Sequence, residues 1–90
     1  MPLTAKQRQQ LKAKAHALRP VVLIGNHGLT EAVIQEIDIA LTAHELIKIK
    51  IAGQEKAIRQ AFLTQICDRS RAELVQAIGS VGVIYRKRQE

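Results

Sequence analysis

Two glycines bracket a pair of hydrogen-bonding side chains at Gly25-Asn26-His27-Gly28. The four residues follow a short apolar run, Val21-Val22-Leu23-Ile24, and precede Leu29-Thr30, where Thr30 has the chemistry of a helix N-cap. A bend in that place holds backbone N–H groups without intrahelical partners at the positive end of a helix dipole. With no Cβ at Gly25 or Gly28 the backbone meets an oxyanion closely, while Asn26 and His27 add donors for backbone oxygens or a base edge. The chemistry is phosphate recognition. An ordinary strand-to-helix turn also uses glycine, and G-x-x-G spacing alone does not separate the two. A P-loop and a dinucleotide fingerprint are excluded, because the Lys-Ser/Thr ending and the third glycine are missing.

Charge points the same way. The chain has 90 residues, 14 Lys and Arg against 8 Asp and Glu, and a formal net charge of +6. Residues 1–20 carry Lys6, Arg8, Lys12, Lys14 and Arg19 and no acid, whereas residues 21–85 are nearly neutral. Lys6 and Lys14 share a helical face, with Arg8 and Lys12 flanking it, so with Arg19 the segment has the spacing to track a phosphate chain. Lys48 and Lys50 alternate with isoleucines and offer a second positive patch on a sheet face, or simply keep that face wet. Arg86-Lys87-Arg88 either extends the same surface or forms a basic chain end. Segregated positive charge is the footprint of a polyanion binder, and with an aromatic content of 2% such a surface has few stacking platforms.

Other chemistries find little support. The acids are scattered singly, and Glu36 and Asp38, two apart on a helix, point to different faces. No nucleophile–base set, no H-x-x-x-H and no C-x-x-C occurs, which argues against catalysis, a metal and a cofactor. His16 and His44 fall near helix ends, where the dipole favours a cation. The one cysteine, Cys67, reads as an inert thiol at the core edge. No apolar run approaches the ~18–20 residues that span a bilayer, and no secretory leader is evident. These features lead us to expect a cytoplasmic, metal-free protein with no small-molecule substrate.

The positioning elements are legible from periodicity. Thr4-Ala5-Lys6-Gln7 forms a capping box for a helix to about Ala17 with Leu11, Ala15 and Leu18 as its apolar stripe. Pro20 ends that segment, and Val21–Ile24 reads as a buried strand. A second helix runs from Thr30 to about Ala43, with Leu29 stapled to Ile34. Leu46–Ile51 alternates as a strand with Ile47, Ile49 and Ile51 inward. Ala57, Ile58, Ala61, Phe62, Gln65 and Ile66 mark a third helix ending near Arg69. Glu73–Ile78 and Val81–Arg86 flank Gly79-Ser80 as a β-hairpin. One domain over 1–90 follows, with fold class α/β: a two-layer sandwich of order α-β-α-β-α-β-β, in which right-handed crossovers place the last two helices on one face of a four-stranded mixed sheet.

Taken together, Arg19-Pro20-Val21-Val22-Leu23-Ile24-Gly25-Asn26-His27-Gly28-Leu29-Thr30, then His44-Glu45-Leu46-Ile47-Lys48-Ile49-Lys50, then Ile78-Gly79 and Val83-Ile84-Tyr85-Arg86, resemble the CRM domain (chloroplast RNA splicing and ribosome maturation) in its bacterial stand-alone, YhbY-type form. The resemblance covers nearly the whole chain. It implies strand order 1-2-4-3 with the fourth strand antiparallel, a fold similar to the C-terminal domain of translation initiation factor three, and RNA binding through a loop likened to that of KH domains. It makes Gly25, Asn26, His27 and Gly28 the RNA-binding loop, with Thr30 at the helix start and the basic first helix as its neighbour. Its expected partner is rRNA in precursors of the large ribosomal subunit. Neither middle residue of the loop is basic, and Gly82 inside the last strand is unexpected and suggests a bulge or a close backbone contact. Gly28→Asp is expected to weaken RNA binding while leaving folding largely intact. The expected state is a monomer, and the alternatives are an adaptor for an acidic ribosomal or enzyme partner, an RNA-processing enzyme, and a DNA-binding variant.

Overall fold

The computed structural model describes residues 3–88. Helices α1 (Ala5–Ala15), α2 (Glu31–His44) and α3 (Lys56–Ser70) alternate with strands β1 (Pro20–Ile24), β2 (Leu46–Ile51), β3 (Glu73–Ile78) and β4 (Val81–Tyr85). The sheet order is β1-β2-β4-β3, with β1 and β2 parallel and β4 antiparallel to both of its neighbours. Topology and order match the expectation. The first helix is shorter than its sequence pattern suggests, with His16 as its C-cap.

Strand alternation decides which face is dry. Val22 and Ile24 of β1, Ile47, Ile49 and Ile51 of β2 and Ile84 of β4 point to one side, where α2 supplies Ile34, Ile37 and Leu41 and α3 supplies Leu63 and Ile66. The largest fully buried side chains are all isoleucine or leucine. Branched aliphatics suit a pleated surface packed under helices, and each one buried contributes about 1.5–3 kcal/mol. On α3 the inward face is rotated from the predicted one: Leu63 is buried, whereas Ile58 is exposed.

The opposite face is only partly covered. There α1 packs Ala15 against Val75 and Val83, with Leu3, Leu11, Leu46 and Tyr85 around them, so the α2/α3 sandwich gains a partial third layer. The Thr4–Gln7 capping box forms as expected, each partner bonding the other's backbone N–H at 2.9 and 3.0 Å. β1 is left bare on this face, and Val21 and Leu23 are 51% and 62% exposed. Gly82 carries no bulge. Its missing side chain makes room for Leu63, whose Cδ2 would stand 2.5 Å from a Cβ built there. The register breaks lie instead between Pro20 and Val22 and between Leu74 and Gln76.

Candidate nucleic-acid interface

Three connections meet at the carboxyl ends of the two parallel strands. The Ala52 N–H donates to Ile24 O at 2.9 Å and the Ile51 N–H to Ser80 O at 2.7 Å, tying the β1–α2, β2–α3 and β3–β4 connections together. The Gly25–Gly28 bend is closed by the Gly28 N–H donating to Gly25 O at 3.0 Å, which leaves Asn26 and His27 exposed at its tip.

The two glycines do different work. Gly28 has φ +73°, and a Cβ there would stand 3.3 Å from the Phe62 ring, so Gly28 is required by backbone and packing together. Gly25 has open space around it. The expectation that Gly28→Asp spares the fold therefore needs correcting, because aspartate would be strained there and crowd Phe62. Gly25 is the position where a side chain tests the surface alone.

Thr30 acts as the N-cap, its Oγ1 accepting from the Val33 N–H at 3.2 Å. Glu31 and Ala32, ahead of it in the first turn, have no intrahelical acceptor for their N–H groups. α3 begins at the same end, and its N-cap Glu55 makes no side-chain cap, so two positive helix ends face one region. Periodicity did not reveal that Lys56 and Arg59 in the first turn of α3 belong here. The signal available was the repeated strand–glycine–helix unit, Ile24-Gly25 and then Ala52-Gly53: a Cβ on Gly53 would lie 3.1 Å from Asn26 Oδ1, so the second connection rests on the first. Arg59 is braced by its own donation to Gln54 O at 2.7 Å. Against the positive trend stands Glu31, paired with Arg69 at 2.7 Å. The hydrogen bond from that guanidinium, and then its charge, hold the carboxyl below the ordinary glutamate range.

The basic first segment reaches this end along the bare sheet face. Lys12, His16 and Lys48 line one hollow of about 240 Å³ beside Val81 and Ile78. Lys50 is the next outward residue of β2 and is paired in register with Leu23, two residues before Gly25. Lys14 and Arg19 line a neighbouring groove of about 550 Å³ floored by Leu18, Val21 and Tyr85. Lys12, with Lys48 and Lys50 of β2, thus links the first helix to the loop end of the sheet, whereas Lys14 and Arg19 stand toward the opposite end, where Leu46 pairs with Tyr85, and Lys6 is exposed on α1.

Other expected contributors are occupied. Arg8 donates to Leu74 O and fastens α1 to β3. Lys48 Nζ donates to Leu18 O at 3.0 Å, holding the turn that leads into β1. Arg86, Lys87 and Arg88 lie at the opposite end of the sheet, because Tyr85 pairs with the first residues of β2 and β3. They stand away from the loop, at the end of the sheet where Lys14 and Arg19 of the first segment line a groove with Tyr85. Arg86 clamps α2 to the end of α3, donating to Asp38 Oδ1 at 2.6 Å, Thr42 Oγ1 and Ser70 O at 2.9 Å, and Asp38 O at 3.1 Å. Fold-distant acceptors of this kind leave no mark in local sequence.

Cys67 packs against the main core, and burial, then the charges of Glu73 and Asp68, push its thiol up to about 11. It stays protonated and unreactive at neutral pH. Among the described residues no three His, Cys, Asp or Glu side chains gather to hold a metal, and no helix is long and apolar enough to cross a membrane.

A parallel β-α-β-α core with glycine bends and two helix N-termini at one end, and lysines on the bare face beside them, defines a small α/β module with one end built to meet anions. The chain belongs to the CRS1 / YhbY (CRM) domain family, whose model matches residues 3–86. It is 46% identical over 87 residues to the "Probable RNA-binding protein PA4753" of Pseudomonas aeruginosa, covering 97% of this chain and 84% of that one. It is 47% identical over 88 residues to a Haemophilus influenzae protein named "RNA-binding protein", covering 98% and 89%. The solution structure of the hypothetical protein SAV1595 from Staphylococcus aureus superposes with a TM-score of 0.86 at 38% identity, covering 98% of this chain and 92% of that one.

Proposed function

We propose that this protein binds RNA without catalysis and acts, as a cytoplasmic monomer, on rRNA in precursors of the large ribosomal subunit. The supporting observation is the continuity of the Gly25–Gly28 bend with Lys50 and Lys12 on a sheet face that no helix covers at β1. Backbone N–H groups at the bend and at the starts of α2 and α3 take phosphate oxygens, Asn26 and His27 add side-chain donors, and the lysines follow the chain onward. Exposed Val21 and Leu23 give unpaired bases an apolar surface where aromatic platforms are lacking. This favours single-stranded or irregular RNA over duplex.

The test compares the wild-type chain with Gly25→Asp. Aspartate at Gly25 meets open space, so the fold is kept while a carboxylate enters the phosphate path. In-cell crosslinking should recover large-subunit rRNA precursors with the wild type, and the variant should lose about tenfold of that signal at equal abundance. Equal recovery by both chains removes the loop from the mechanism. Recovery of no rRNA, with protein partners that survive ribonuclease, makes the chain an adaptor instead.

A further inference from the structure

The end of the sheet remote from the glycine bend holds a polar cleft of about 430 Å³ between α2, the end of α3 and the segment after β4. Arg69, Arg71, Arg86, Lys87 and Arg88 line it, and the one acid in its wall, Asp38, is already matched by Arg86 at 2.6 Å. Glu31 engages Arg69 at 2.7 Å, and Glu45 takes the backbone N–H of Arg88 at 2.6 Å. Arg71 and Lys87 make no side-chain hydrogen bond or ion pair among the described residues. Such an excess of cations in a body that is otherwise nearly neutral repels itself unless an anion joins it.

Two further observations mark this cleft. Arg71, the C-cap of α3, has φ 57° and ψ 38°, the left-handed conformation that glycine adopts most cheaply at a helix end. An arginine held there at a backbone cost directs attention to its side chain. Beside it Ser70 is 4% exposed, lines the cleft, and its hydroxyl has no partner. A buried donor left unmatched by the protein is the group that a ligand oxygen satisfies. The helix end itself is not a strong deterrent to an anion. The Ser70 carbonyl is bonded by Arg86, and the Cys67 carbonyl takes the N–H groups of Arg71 and Ala72.

We propose that this cleft is a second phosphate site, which takes a backbone phosphodiester of the bound RNA, so that the protein holds its RNA at both ends of the sheet. The inference rests on the RNA-binding reading above. Arg71 and Lys87 supply the uncommitted charge, Ser70 a neutral donor, and Arg86 the rigid wall that keeps α2 and α3 apart at the right width. Guanidinium forks match phosphate oxygens in pairs, which suits arginine-rich walls.

The experiment follows backbone amides of the isotope-labelled chain while a 12-nucleotide oligouridylate is added, and in a separate arm inorganic phosphate. Residues 70–72 and 86–88 should shift with the oligonucleotide along with 25–32. The double variant Arg71→Gly, Lys87→Gln should bind about three- to tenfold more weakly and lose about 1 from the slope of log K against log salt. It should melt no lower than the wild type, since glycine relieves the left-handed cap. Its loss should multiply with that of Gly25→Asp, as expected for distant sites. If the double variant keeps wild-type affinity and slope while Gly25→Asp loses both, the second site is wrong and the RNA reading stands. Shifts at 70–72 with inorganic phosphate but not with the oligonucleotide mark a free-anion site and overturn the proposal. If the wild type does not bind the oligonucleotide at all, both readings fall.

Discussion

At Glu31 a carboxylate stands in the first turn of α2, beside the bend that is to meet phosphate. It suits the helix dipole and opposes the RNA. Its pair with Arg69 is solvent-exposed and contributes little to stability. Because Arg69 holds this carboxyl below the ordinary range, it stays ionised through mildly acidic pH, and acidification relieves the repulsion only below the usual glutamate value. Glu31→Gln should therefore tighten oligouridylate binding about two- to fivefold at neutral pH, with little change in melting temperature. Fluorescence anisotropy at fixed salt measures it, and weaker binding by the variant would place the RNA away from α2. The sequence shows Glu31 as a dipole partner and Thr30 as a cap, because both act within one turn of chain. Arg69, 38 residues away, is visible only once α2 and α3 lie side by side.

Elements were legible wherever a local rule decided them: the capping box before α1, the alternation in β2, the glycine after each parallel strand. The inward face of α3 was not, since it is chosen by the sheet beneath. The pattern Ala57, Ile58, Ala61, Phe62, Gln65, Ile66 is a regular helical stripe, yet the helix turns to bury Leu63, because the one strand position without a side chain, Gly82, lies below it. Two features that looked anomalous separately are one contact. Gly82→Val should cost about 1–3 kcal/mol in urea unfolding, as an overpacked core does. Adding Leu63→Ala should return part of it, because the alanine withdraws the methyl groups that collide. A Gly82→Val chain as stable as the wild type would show that α3 lifts freely, and the contact would then not set its face.

Charge at the scale of the whole molecule was legible as a sum and as a segregation along the chain, but not as a surface. Folding divides the expected cations other than Lys6, which is exposed on α1, into three groups. Arg8, Lys48 and Arg86 are bonded within the protein. Lys12 and Lys50 stand on the sheet face toward the bend, and Lys14 and Arg19 line the groove at its other end beside Tyr85. Lys87 and Arg88 join Arg71 at the far end, where Arg69 lines the cleft while its guanidinium reaches back to Glu31. The molecule measures 33 × 27 × 22 Å, so a strand of RNA that touches the bend and follows the lysines crosses much of one side. The salt dependence separates this picture from a grip by the bend alone. Each phosphate neutralised on a single strand contributes about −0.7 to the slope of log K against log salt. A bend with two helix ends engages about two phosphates and gives a slope near −1.4 on that scale, whereas about 4–6 phosphates along the whole face give about −3 to −4. We expect the steeper value for the wild type with oligouridylate between about 50 and 200 mM KCl. Lys12→Gln with Lys14→Gln should flatten it by about 1 and weaken all RNA sequences alike, since phosphate contacts carry no sequence information. A slope indifferent to those two lysines would confine the interface to the bend and leave the cationic helix as solvated surface.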